Sequence, residues 1–181
     1  MAEPALAELQ LRDPTVDVIW RAFELRPAPV PTLDPRGEYL QRVWSGAVYP
    51  LARRLNIPIK LPPVQPRSRL AHEAAHWARE QGKFNEYNDA VFRAFFERGE
   101  DIGRAEVLTA LASELGLDSK TLGRALDTHE YLDRVVGDEQ EAAKLGIRGV
   151  PAFVANRRVS LSGVQTVEDL TNLVERARLS T

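Results

Sequence analysis

Gly146-Ile147-Arg148-Gly149-Val150-Pro151-Ala152-Phe153-Val154 is the stretch on which the reading of the fold turns. Proline at the threshold of a strand removes a ladder donor. An X-Pro bond is also the one peptide bond whose cis form costs little. Immediately downstream the apolar period becomes two. Ala152 to Ala155 reads as a short strand, Asn156-Arg157 as a turn and Arg158 to Leu161 as a second strand, which together make a hairpin. Thr166, with Asp169 three residues later, then predicts the N-cap of a closing helix striped by Val167, Leu170, Leu173, Val174 and Ala177.

Upstream of this run the pattern is mostly helical. Ala2 to Leu11 reads as a short helix stopped at Asp13-Pro14. Thr15 to Leu25, with Val16, Val18, Trp20 and Ala22 on one face and Ile19 and Phe23 on the other, predicts a strand inside a covered sheet. Arg26 to Pro35 contains Pro27, Pro29, Pro31 and Pro35 and reads as loop. Gly37 to Leu55 predicts a helix interrupted or ended near Pro50, and Asn56 to Pro66 a second loop. Helices are then expected over 68–81, 84–96, 104–115, 119–127 and 130–145, with Gly82, Gly116 and Gly146 as stops.

Composition narrows the function classes. The chain has 181 residues, 44% hydrophobic and 28% charged, with a formal net charge of −2. Nothing in that balance draws it to nucleic acid or to an anionic membrane. No apolar run is long enough to cross a bilayer, and the first residues carry neither the basic nor the apolar region of a signal peptide. A cytoplasmic location is therefore expected. Cysteine count is zero, so this polypeptide contains no disulfide, thiolate ligand or sulfur nucleophile. No cofactor is expected.

The proline junction, the hairpin and Leu161-Ser162-Gly163-Val164-Gln165 before the closing helix resemble the C-terminal half of a DsbA-family thioredoxin domain. The similarity reaches back through most of the chain. Trp20-Arg21-Ala22-Phe23-Glu24-Leu25-Arg26-Pro27, Ser68 to His72, and Phe92 to Leu108 are similar to the FrnE group of thiol–disulfide oxidoreductases. The resemblance implies an α/β, thioredoxin-like fold, one domain over 1–181 with 37–145 as a helical insertion. It implies a cis Pro151 facing the reactive dithiol, with Gly149, Val150 and Pro151 contacting substrate, a peptide or a small thiol or disulfide. A bend at Pro151 would leave the backbone of Val150 able to pair with an extended chain.

The family's dithiol sits at the start of a helix, whose N-terminus lowers the cysteine pKa. Here the first helix begins beside Met1 with no such motif. The expectation is that Met1 is an internal or misassigned start and that the central strand and C-x-x-C lie upstream. Without that strand the sheet would be incomplete and the product poorly stable, dimeric or strand-swapped. Two other readings compete within the same fold: a peptide- or thiol-binding module without redox chemistry, and a glutathione-using isomerase relative.

One motif points elsewhere. His72-Glu73-Ala74-Ala75-His76 is a literal H-E-x-x-H, the pattern in which two histidines one helical turn apart hold zinc and the glutamate activates water. It would need a third ligand, for which Glu80 is too near and Glu97 stands at a suitable spacing. The commoner meaning of such a pentapeptide is an ordinary helix face, which the family resemblance favours. His129 reads as a surface or cap histidine.

Overall fold

The computed structural model describes residues 1–179. Its helices are α1 (Glu3–Arg12), α2 (Glu38–Val43), α3 (Tyr49–Arg54), α4 (Arg69–Glu80), α5 (Phe84–Arg93), α6 (Ala105–Glu114), α7 (Ser119–Asp127), α8 (Leu132–Lys144) and α9 (Val167–Leu179). The strands β1 (Ala152–Ala155) and β2 (Val159–Ser162) form an antiparallel hairpin, the one sheet among the described residues. The chain is thus mostly helical, and the expected α/β balance is corrected toward helix.

The chain divides into two compact units. One comprises Met1–Leu25 and Asp138–Thr181, the other Arg26–Gly137. In the second, apolar positions one helical turn apart build the largest core. Ala74, Trp77 and Ala78 of α4, Tyr87 and Val91 of α5, Leu108 and Leu111 of α6, and Leu122 and Ala125 of α7 bury their side chains together. The Tyr87 hydroxyl donates to the Leu108 carbonyl at 2.8 Å, so its burial leaves no orphan donor. That burial raises the phenol's pKa well above its ordinary value.

Two π-helical turns, Trp44–Val48 and Ala94–Arg98, interrupt this helical block. The first lets the helix continue to Arg54, with Pro50 at the opening of α3 rather than at an end. The second ends at Gly99, whose φ of +72° suits glycine. An added Cβ there would stand 2.8 Å from Cδ of Pro63. Trp44 and Phe96, one from each π turn, bring their rings to 6.2 Å between centroids.

In the other unit α1 packs against α9, and Leu9, Leu170, Leu173 and Ala177 are buried. Thr166 and Asp169 form the expected capping box. The Asp169 N–H donates to the Thr166 hydroxyl oxygen at 3.1 Å, and the Thr166 N–H donates to the Asp169 carboxylate at 3.1 Å.

Thr15 to Leu25 is not a strand. It carries no regular secondary structure. A strand is defined by its neighbour, and no described segment forms a ladder with this one. Carboxylates from α8 meet part of the need. Asp138 Oδ2 accepts from the Ala22 N–H at 2.9 Å, and Glu139 Oε1 accepts from the Glu24 N–H at 3.3 Å. Asp138 Oδ1 also pairs with Arg21 at 2.9 Å.

Candidate functional site

The hairpin fixes the geometry around Val150. Its register pairs Ala152 with Ser162, Phe153 with Leu161, Val154 with Ser160 and Ala155 with Val159. The turn holds Asn156 and Arg157 at φ of 50° and 59°, and the Arg158 N–H donates to the Ala155 carbonyl at 3.1 Å. Both residues lie in the left-handed region, which suits a tight hairpin of right-handed twist. One further bond extends the ladder beyond β1: the Gly163 N–H donates to the Pro151 carbonyl at 2.8 Å. The Val150–Pro151 bond is cis, as is Ala28–Pro29.

That bond sets which backbone groups face β2. In an antiparallel pair, hydrogen-bonded positions alternate. With Pro151 opposite Gly163, Pro151, Phe153 and Ala155 turn their polar groups toward β2. Ala152 and Val154 turn theirs to the other edge, which has no strand among the described residues. Val150 continues that edge. Neither its N–H nor its carbonyl has a partner among the described residues, and the residue is 49% exposed. Gly149 precedes it, with open space where a Cβ would stand. Of the three residues read from sequence as the substrate contact, Val150 presents an unpaired N–H and carbonyl among the described residues, Gly149 precedes it, and Pro151 has its carbonyl turned to Gly163.

The H-E-x-x-H run lies on α4, in the other unit. Its glutamate is committed to a neighbour. Glu73 is fully buried, and its Oε1 lies 3.0 Å from Nδ1 of His129. Its second oxygen, Oε2, has no hydrogen-bond partner among the described residues. A metalloprotease glutamate must reach a water on an accessible metal, and a fully buried carboxylate is poorly placed for that. His76 is buried and His72 partly so. Among the described residues no three His, Cys, Asp or Glu side chains are grouped to hold a metal ion.

The Glu73–His129 pair spans 56 positions, so no local motif announces it. His129, with φ of 52°, follows α7 and tethers that turn to α4. Nearby, Glu80 accepts from the Tyr131 hydroxyl and pairs with Arg134. Burial and the bond to Glu80 push Tyr131 up to about 12. A separate cleft of about 320 Å³ lies against Tyr49, Leu61, Pro62 and Pro63. Its lining includes one charged residue, Arg36, and no acid or histidine.

Residues 1–175 match the DSBA-like thioredoxin domain family. The chain belongs to this family. Over 156 residues this DSBA-like chain is 41% identical to the uncharacterized protein YwbO of Bacillus subtilis, a match covering 83% of the chain and 77% of that relative. It is also similar to the crystal structure of a probable DsbA oxidoreductase from Streptomyces coelicolor. That likeness has a TM-score of 0.75 and 29% identity, and covers 99% of this chain and 82% of the other. The DSBA-like chain nonetheless has no cysteine anywhere in its sequence. No helix among its described residues is long and apolar enough to cross a membrane.

Proposed function

We infer that this polypeptide is a peptide-holding member of the DSBA-like family. It binds extended polypeptide by strand addition at Val150–Pro151 and performs no thiol chemistry of its own. The observation that carries this reading is Val150 beside the cis bond, a half-exposed residue whose N–H and carbonyl have no partner among the described residues. An edge N–H and C=O pair is what an added strand uses for affinity, while alternate side chains set its specificity. Gly149 places no side chain in the way of the incoming backbone.

The FrnE-type relationship belongs to the same reading and is supported by the stretches Trp20–Pro27 and Phe92–Leu108. A redox role is the second reading, favoured by the likeness to the Streptomyces probable DsbA oxidoreductase. It requires a sulfur nucleophile, because exchange proceeds by attack of a thiolate on a disulfide. This polypeptide contains none.

The test combines fluorescence anisotropy with an insulin-reduction assay. A labelled, unstructured peptide should bind, and the same peptide methylated on its backbone nitrogens should not, because methylation removes the donors that strand addition uses. Insulin reduction should remain at the background rate. Equal binding of the methylated peptide would refute strand addition, and turnover by clean protein would refute the absence of thiol chemistry.

A further inference from the structure

The cleft beside Tyr49 combines apolar walls with hydrogen-bond donors that have nothing to bond. All its lining residues lie inside one compact unit, Arg26–Gly137. Pro35, Pro62 and Pro63 present apolar rings and no N–H groups. Gln41 of α2 donates its side-chain amide to the Pro35 carbonyl at 3.1 Å, which pins the rim to that helix. Two further donors remain, the hydroxyl of Tyr49 and the guanidinium of Arg36.

Tyr49 is held from two sides. Its ring packs edge-on to Trp44 with centroids 5.4 Å apart, and its hydroxyl oxygen accepts from the Leu61 N–H at 3.1 Å. The hydroxyl's own hydrogen has no acceptor among the described residues. Arg36 is exposed, and its guanidinium has neither an ion pair nor a hydrogen bond among the described residues. Asp34 and Glu38 flank it in sequence. Neither lines the cleft, and the Asp34 carboxylate accepts from the Arg36 N–H at 2.9 Å. The surroundings lean the same way. From Tyr39 to Ala71 the charged residues are Arg42, Arg53, Arg54, Lys60, Arg67 and Arg69, with no Asp or Glu. The segment bonded to the Lys60 N–H carries Glu97 and Glu100. Neither lines the cleft, and Glu100 is paired with Arg98. The potential at the cleft is thereby biased toward anions.

We propose that this cleft binds small organic acids, molecules with one carboxylate on a compact apolar body. The carboxylate accepts from the Arg36 guanidinium and the Tyr49 hydroxyl, and the apolar body lies against the proline rings. A carboxylate offers two acceptor oxygens and matches the planar fork of Arg. The volume of about 320 Å³ is at the small end of the range for ligand clefts, which suits a molecule of this size. Inorganic phosphate would satisfy the donors but bring nothing to cover the proline walls. Binding here is independent of strand addition at Val150, which lies in the other unit.

The experiment uses the full chain, 15N-labelled, in titrations followed by 1H–15N NMR. Hexanoate is the probe, hexanamide its uncharged counterpart and acetate the carboxylate without the apolar body. Hexanoate should shift the amides of Arg36 and Leu61 in the millimolar range. It should bind about fivefold tighter than hexanamide at low salt, the upper range for an exposed ion pair. Acetate should leave both amides in place at the same concentrations. Arg36→Gln should bring hexanoate down to the level of hexanamide and leave hexanamide unchanged. Arg42→Gln removes an equal charge from an exposed position outside the lining and should keep the preference. Both positions are exposed, so both variants should keep the wild-type circular dichroism spectrum. Equal binding of hexanoate and hexanamide, acetate as tight as hexanoate, shifts that bypass Arg36 and Leu61, or the same loss in both variants would each overturn the proposal. So would the absence of a saturable shift with every probe.

Discussion

Asp138→Ala removes the acceptor that α8 supplies to the backbone of 15–25, and its cost can be worked from the structure. Asp138 Oδ2 accepts from the N–H of Ala22 at 2.9 Å, and both residues are buried. A hydrogen bond to a charged group contributes about 1.5–3 kcal/mol, and a buried donor left unpaired loses a comparable amount. The Arg21 pair adds little, because the Arg21 side chain is 57% exposed and solvent screens it. Asp138→Ala should therefore cost about 2–3 kcal/mol, whereas Arg21→Gln should cost about 1 kcal/mol or less. At this chain length the first figure corresponds to a fall in Tm of about 4–12 °C. Urea denaturation followed by circular dichroism measures both. Hydrogen exchange should show a faster Ala22 amide in Asp138→Ala alone. An Asp138→Ala variant within about 0.5 kcal/mol of wild type would refute the reasoning, since surface changes fall in that range. So would an Arg21→Gln variant equally destabilised.

Four further outcomes follow from the geometry. His129→Gly keeps a residue comfortable at φ of 52° but strips the fully buried Glu73 of its partner. It should cost about 1–3 kcal/mol in chemical denaturation, and much of that should return in a His129→Gly/Glu73→Leu double variant. Gly99→Ala forces a Cβ to 2.8 Å from Pro63 at a φ of +72°, and should destabilise by about 1–3 kcal/mol. Gly137→Ala, inside α8 with open space around it, should instead stabilise by up to about 1 kcal/mol. Acid should weaken the fold. The hydroxyls of Thr121 and Thr166 donate to Asp118 and Asp169, holding both carboxyls below their usual value of 3.8. Because the folded values lie below the unfolded ones, this stabilisation is full above the unfolded value. It is lost as pH falls through the folded values. The urea midpoint should decline below about pH 4, and Thr121→Val with Thr166→Val should flatten that decline.

The helices were legible because their signals are local. Apolar stripes at helical spacing in 70–78 and 107–115, and the stops at Gly82, Gly116 and Gly146, appear in the structure with positive φ at each glycine. The hairpin was legible for the same reason, through Asn156-Arg157 and the period-two runs on either side. Thr15 to Leu25 was not, because a strand exists only with a neighbour. Its alternating Val16, Val18, Trp20 and Ala22 describe a segment suited to a sheet and carry no information on whether a partner lies beside it. The π turns at Trp44 and Ala94 left no residue-type signature, and the Glu73–His129 pair depends on tertiary approach. At the site, sequence gave the proline junction. The outward edge of Val150, Ala152 and Val154 emerged only from the hairpin register and the Gly163–Pro151 bond.

The most direct test follows the Val150 amide by 1H–15N NMR while an unstructured peptide is added. Strand addition requires that this amide shift progressively and become protected from exchange. An unmoved Val150 amide at a peptide concentration that saturates binding would contradict the account.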